Sequence, residues 1–185
     1  MRIITGSQKG RKLISGKNSN VRPTQDRIKE AIYNMLGQFV IGCRGLDLFA
    51  GFGGLGLEAL SRGAEFFTFI EKNYKNSKII KKNVQMCGFE EQVKVITIDV
   101  FKFLSSFQNN FELIFMDPPY DLECTEKVLS LIVKNNIIHP RGIIVSEHHQ
   151  NEVVIPPDKL NTLRQKNYGD TVIEIYELKE AKNEN

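Results

Sequence analysis

An open α/β sheet, mostly parallel and with helices on both faces, is the fold that this 185-residue sequence predicts. Three observations predict it. From Gly45 onward, apolar runs of strand length alternate with segments of helical periodicity, the pattern of parallel strands joined by crossover helices. The first of these runs empties into a glycine-rich turn that opens a helix, Gly51-Phe52-Gly53-Gly54-Leu55-Gly56. Finally, Asp47, Glu71, Asp99 and Asp117 all fall at the carboxyl ends of successive apolar runs, the edge along which a doubly wound sheet binds its ligands. At this length a single domain with a substantial core is expected.

Residues 2–14 read as a short β-hairpin, Arg2-Ile3-Ile4 paired with Arg11-Lys12-Leu13-Ile14 around a basic, mobile loop from Thr5 to Gly10. Pro23-Thr24 opens a helix whose apolar positions Ile28, Ala31, Ile32, Met35 and Leu36 recur at helical spacing, and Gly37 ends it. Arg27 and Glu30 lie on the side opposite that stripe, facing ligand or solvent. Strands are expected at 45–49, 66–71, 93–98, 111–116 and 142–147, with helices at 54–62, 74–87, 101–107 and 122–135 between them. The chain closes with an antiparallel hairpin, 160–166 and 171–178, turning at Asn167-Tyr168-Gly169-Asp170. Such a hairpin suits the far edge of the sheet and brings the strand count to seven. The end is mostly charged or polar, so 180–185 is expected to be a disordered tail.

Composition narrows the function classes. Cys43, Cys87 and Cys124 are widely spaced and odd in number, so neither a disulfide framework nor a zinc site is suggested, and a reducing cytosol is the simplest home. No signal-like or membrane-spanning segment is read from the chain, which is therefore expected to be soluble and cytoplasmic. Net charge is only +3, but residues 1–30 carry +6 and the rest −3, through Arg2, Lys9, Arg11, Lys12, Lys17, Arg22, Arg27 and Lys29 against Asp26 and Glu30 in the first segment. A basic block beside a near-neutral body is the electrostatic footprint of an arm that contacts phosphates. A solvated basic tail is the plainer reading of the same charges.

Chemistry concentrates at two turns. Asp117-Pro118-Pro119-Tyr120 closes the buried run from Phe111 to Met116. Two prolines fix φ and remove N–H donors, so the turn is stiff and leaves backbone carbonyls for a ligand. The Asp117 carboxylate and the Pro118 carbonyl on one side and the Tyr120 ring on the other suit a flat base that carries an amine. At the other turn, Gly51-x-Gly53-x-x-Gly56 matches a dinucleotide fingerprint, with Glu71 placed to grip ribose hydroxyls. Asp47 argues against a pyrophosphate and for a cationic ligand such as an adenosylmethionine, whose ammonium or sulfonium it would balance. Asp99 is placed to accept an adenine amine. Singly, each acid also reads as a helix cap or a solvated turn residue. His139, His148 and His149 read as exposed or structural.

These residues resemble those of class I methyltransferases acting on exocyclic amines, and more closely the RsmD family, which methylates a guanine N2 of bacterial 16S ribosomal RNA. Segments specific to that family are Arg2-Ile3-Ile4-Thr5-Gly6, Gly10-Arg11-Lys12-Leu13, Arg22-Pro23-Thr24-Gln25-Asp26-Arg27 leading into Glu30-Ala31, and Leu57-Glu58-Ala59-Leu60-Ser61-Arg62-Gly63-Ala64. The resemblance covers nearly the whole chain. It implies a Rossmann-like class I methyltransferase fold over 21–179, with 1–20 as a basic β-hairpin extension. It implies S-adenosylmethionine as cofactor, held by Asp47, Phe49, Gly51, Gly53, Glu71 and Asp99, and no metal. Asp117, Pro118, Pro119 and Tyr120 would hold the target base. Arg2, Lys9, Arg11, Lys12, Arg22, Thr24 and Arg27 would meet 16S ribosomal RNA, free or within an assembling small subunit, with the protein acting as a monomer. Phe52 departs from the family, which usually carries a small residue between the two glycines. The rival readings are a methyltransferase acting on DNA or a protein amide, an NAD-dependent oxidoreductase built on Gly51, Gly53 and Gly56, and a non-catalytic RNA-binding module.

Overall fold

The computed structural model describes residues 1–16, 26–119 and 124–179. Lys17, Arg22, the helix opening expected at Pro23-Thr24, Tyr120 and the 180–185 tail lie outside the described residues.

One sheet is built from β1 (Arg44–Leu48), β2 (Phe66–Glu71), β3 (Val93–Thr97), β4 (Phe111–Met116), β5 (Ile138–His149), β6 (Leu160–Tyr168) and β7 (Thr171–Leu178). Its order is β3-β2-β1-β4-β5-β7-β6. Strands β1 to β5 pair in parallel, and β7 runs antiparallel to both β5 and β6, so the terminal hairpin takes the far edge. The helices are α1 (Asp26–Leu36), α2 (Gly54–Ser61), α3 (Tyr74–Cys87), α4 (Val100–Ser106) and α5 (Thr125–Lys134). Chain order reverses between β1 and β4, and a sheet of this kind opens a crevice for ligands above such a point.

The strand period of two sorts side chains onto two cores. Phe67, Phe69, Leu113, Phe115, Val145 and Ile173 face one way, against Ile32 and Tyr33 of α1, Leu57 of α2 and Ile80 of α3. Leu46, Leu48, Ile70, Ile114, Met116 and Ile144 face the other, against Phe103 of α4 and Val128, Leu129 and Ile132 of α5. Close approach is enforced by missing side chains: a Cβ on Gly45 would fall 2.1 Å from the Phe67 ring.

Strand β5 begins at Ile138, four residues before its expected start at 142. The register slips between Phe111 and Leu113, where β5 carries extra residues around Pro140. Proline cannot donate to the ladder, and a bulge is one of the few places a sheet tolerates it. Gly142 has the chain packed so closely that a Cβ would meet the His139 and Phe111 carbonyls at 2.9 and 3.0 Å.

The N-terminal hairpin forms with a single ladder pair, Arg2 with Lys12. Its loop is docked, contrary to the mobile loop expected. Ser7 N–H donates to the Ser61 carbonyl at 2.7 Å, and Ser61 Oγ donates to the Thr5 carbonyl at 2.6 Å. Gly6, at φ 89°, lies so near Ser61 that a Cβ would overlap its carbonyl at 1.7 Å. Leu55 to Ser61 of α2 are buried throughout because the sheet covers one side of that helix and the hairpin the other, and Ile3 and Leu13 are buried with it.

Candidate active site at the carboxyl edge of the sheet

Strand β1 leaves the sheet through Phe49, a non-glycine residue at φ 57°. Left-handed backbone at a residue with a side chain costs on the order of 1–3 kcal/mol, strain that persists where a turn's shape matters. Gly51 at φ 55° and Gly53 at φ 81° continue the turn without that cost. Gly53 is the N-cap of α2. The third glycine of the fingerprint serves close packing instead, since a Cβ at Gly56 would lie 2.4 Å from the Phe69 ring, and its absence lets α2 settle on β2. Phe52 is buried, so its bulk is taken up inside the protein and does not line the turn's outer surface.

The acids line the turn, but not all as expected. Glu71 Oε2 accepts from Gly51 N–H at 2.9 Å and Oε1 from Asn73 N–H at 2.7 Å. The carboxylate therefore shapes the turn and keeps lone pairs for ligand hydroxyls. Asp99 caps α4 through Oδ1, accepting from Phe101 and Lys102 N–H at 3.0 and 3.3 Å, with Oδ2 left for a ligand amine. Asp47 sits beneath the turn, buried, with Oδ2 accepting from Gly56 N–H at 2.9 Å.

Burial pushes the Asp47 carboxyl up to about 7; the Gly56 N–H opposes this, and the charges of Asp117 and Glu71 add to it. The folded protein thus keeps a proton that the unfolded chain releases near its ordinary value of about 4. Asp47's contribution to stability is fully present below about pH 4 and is lost as pH rises through about 7. We expect the Tm to fall between about pH 5 and about pH 8, and Asp47→Asn to flatten that fall. Calorimetry across pH decides it, since an identical slope in the variant refutes the assignment.

Asp117 and Pro118 follow β4, which lies beside β1 with Asp47 opposite Phe115 and Leu48 opposite Met116. Asp117 is half-buried, Pro118 buried and Pro119 exposed. Neighbouring strands are about 4.8 Å apart, so Asp117 and the glycine turn share one rim. On the far side of β4, Phe115 is opposite Val145. Two residues further, the buried Glu147 is level with Asp117 on the same face of the sheet. Sequence reasoning missed Glu147; its position as the last acid of the fifth apolar run was the available signal. His148 is structural: it is buried and bonded to Glu174, which also accepts from the Tyr176 hydroxyl.

Of the residues expected to meet RNA, Arg2, Lys9, Arg11, Lys12 and Arg27 fall among those described, and Arg22 and Thr24 do not. Arg2 pairs with Asp26 at 2.9 Å, Arg11 donates to Gln8, and the Arg27 guanidinium stands 5.9 Å from the Tyr168 ring centre. Two anchors of this arm were not foreseen. Glu58, wholly buried, accepts from Ile4 and Thr5 N–H at 2.7 and 2.9 Å and from Arg62 Nε at 2.9 Å. Asn83, also wholly buried, bonds both Ile14 N–H (2.8 Å) and the Ile14 carbonyl (3.0 Å), and donates to the Phe52 carbonyl at 3.0 Å. It ties the arm to the glycine turn.

Residues 1–177 match the family described as Conserved hypothetical protein 95. The chain belongs to this family. Among relatives of the Conserved hypothetical protein 95 family, YlbH of Bacillus subtilis (strain 168), provisionally named an rRNA methyltransferase, is 39% identical over 181 residues, which span 95% of this chain and 98% of that one. Ribosomal RNA small subunit methyltransferase D of Haemophilus influenzae is 36% identical over 181 residues, 96% of this chain and 93% of its own. The structure of yhhF from Escherichia coli, provisionally named a methyltransferase, superposes with a TM-score of 0.87 at 29% identity, covering 98% of this chain and 99% of that one. The resemblance to the RsmD family read from the sequence is thus shown, and the sheet is that of a Rossmann-like class I methyltransferase.

Proposed function

We propose that this protein methylates the exocyclic N2 amine of a guanine in 16S ribosomal RNA, with S-adenosylmethionine as methyl donor. The observation that carries the reading is that the glycine turn after β1 and Asp117-Pro118 after β4 leave neighbouring parallel strands on one rim. A donor pocket and an amine-holding pocket are then adjacent.

The donor set fits S-adenosylmethionine better than a dinucleotide. A pyrophosphate bound to α2 would compete with Asp47 for the Gly56 N–H and would face the charges of Glu71 and Asp117. A cationic ligand is favoured by the same charges. The backbone of Phe49, Gly51 and Gly53 would hold it, Glu71 the ribose hydroxyls and Asp99 the adenine amine. When bound, this cofactor supplies an electrophilic sulfonium methyl.

A guanine amine is a poor nucleophile because its lone pair is delocalised into the ring. Asp117 and the Pro118 carbonyl accept its N–H groups and let the nitrogen pyramidalise. Holding two reactants in line can supply on the order of 7–11 kcal/mol of a barrier. Tyr120 would stack on the base, worth about 1–3 kcal/mol. A duplex hides the amine, so the guanine is unpaired or flipped out. The arm supplies phosphate contacts, and the protein works in the cytoplasm as a monomer on free RNA or an assembling small subunit.

Incubating the protein with 16S ribosomal RNA and labelled S-adenosylmethionine, then analysing nucleosides by mass, is expected to yield N2-methylguanosine. Label in another nucleoside, in DNA or in protein would overturn the substrate assignment.

A further inference from the structure

The arm's charge was legible in the sequence as a block, but a second basic surface emerges only in the fold. Lys75, Lys78, Lys81 and Lys82 of α3, and Lys72 just before it, are all exposed, and no acid occurs between Glu71 and Glu90. The opposite face of α3, with Asn76, Ser77, Ile80, Asn83, Val84 and Cys87, is buried against the sheet. Among the described residues, the ion pairs are Arg2–Asp26, Lys29–Glu58, Arg44–Glu65, Arg62–Glu58 and His148–Glu174, and none includes a lysine of this helix.

The placement works against the helix itself. Lys75 and Lys78 (three apart) and Lys78 and Lys82 (four apart) are like-charge neighbours, which destabilise a helix. Lys72 and Lys75 sit at the N-terminal end, where the helix dipole repels cations, while the last turn carries none. An ordinary solvated face alternates its signs and places its cations at the other end. An exposed block of one sign placed this way suits an anionic partner.

Tyr74, 64% exposed, opens the helix at the rim beside Glu71, with the Lys78 ammonium 4.5 Å from its ring centre. At the other end the buried face of α3 meets the arm, where Asn83 bonds Ile14. Between Lys75 and Lys82 the helix advances about 10 Å. We infer that the lysine face of α3 is a second RNA-binding surface, on the helix that also anchors the arm, and that it carries the phosphate backbone of the substrate towards the rim. This deepens the proposed function by assigning where the flanking RNA runs. A membrane surface fits less well, because the apolar side of α3 is already buried in the core.

The test is the full-length triple variant Lys75→Ala/Lys78→Ala/Lys82→Ala, titrated with a 16S ribosomal RNA fragment across salt concentrations. Three lost contacts are expected to flatten the slope of log K against log salt by about 2. The Kd should rise at least tenfold near physiological salt, with KM for RNA raised and kcat at saturating RNA unchanged. The rise in Tm caused by S-adenosylhomocysteine should match the unmutated protein's, which shows that fold and donor pocket are intact. Replacing the same lysines by arginine should preserve binding. An unchanged affinity and salt slope, or loss of binding to anionic phospholipid vesicles in place of RNA, overturns the inference. If the unmutated protein binds RNA with the slope that the variant loses but methylates no guanine, the surface stands and the reaction falls. If it methylates guanine and the variant is unaffected, the reverse holds.

Discussion

Asp117→Ala is expected to lose methyl transfer, with kcat down about 100-fold or more, the scale of a positioned proton acceptor. Binding of S-adenosylhomocysteine should survive. The separation follows from the sheet: the glycine turn and Glu71 belong to β1 and β2, whereas Asp117 belongs to β4. Losing this carboxylate removes an acceptor from the proposed amine pocket and leaves the Gly51–Glu71 bond intact. Asp117→Asn, which keeps an oxygen acceptor without the charge, should fall between. One further effect follows from the nearness of Asp117 to Asp47. The Asp117 charge helps to raise the Asp47 carboxyl, so in the alanine variant Asp47 should ionise at lower pH, readable by NMR titration. Turnover within a few-fold of the unmutated protein would end the catalytic assignment.

Glu58→Ala should be the most damaging single change to stability. Glu58 and Lys29 are wholly buried and 3.5 Å apart, and the Lys29 ammonium also donates to the Arg2 carbonyl at 2.5 Å. Removing one partner of a buried pair costs about 3–5 kcal/mol, because the other is left charged or must deprotonate. Two backbone N–H groups of the arm, at Ile4 and Thr5, lose their acceptor as well. For a chain of this size the loss corresponds to roughly 10 °C in Tm. Burial already holds Lys29 below its ordinary value, against the pull of Glu58 and then Asp26. Without Glu58 it falls further, so the folded state binds fewer protons than the unfolded chain over a wider window below the ordinary lysine value. Stability of the variant therefore rises with pH across that window, and its deficit should shrink in alkaline buffer. Lys29→Met should cost less, since Glu58 keeps Arg62 and two N–H donors. Equal Tm values for Glu58→Ala and the unmutated protein would show that the arm is not held this way.

What the sequence disclosed and what it hid divide along a physical line. The strands expected at 66–71 and 111–116 are β2 and β4 as found; the one expected at 45–49 is shifted by one residue from β1, and the one at 93–98 runs one residue past the end of β3. Their apolar runs have polar punctuation on both sides. The start of β5 was hidden because Pro140 and Gly142 look like a break, and only pairing with β4 makes them a bulge. Asp47 was legible as a strand-end acid but not as the anchor of Gly56, and Asp99 was legible as a helix cap. The hairpin's pairing could be read, but its docking could not. That docking rests on Glu58, Ser61 and Asn83, which lie 53, 53 and 69 residues from Thr5, Gln8 and Ile14.

Periodicity and turn chemistry are local, which is why the order of strands and helices, the glycine turn, the stiff Asp117-Pro118-Pro119 exit and the gathering of acids on one edge could be read from residue order alone. The worth of a buried charge or amide depends instead on what lies across from it. Pairing Lys29 with Glu58, clamping the arm to the glycine turn through Asn83, and leaving the α3 lysines outside the ion pairs of the described residues were decided only when distant segments came together.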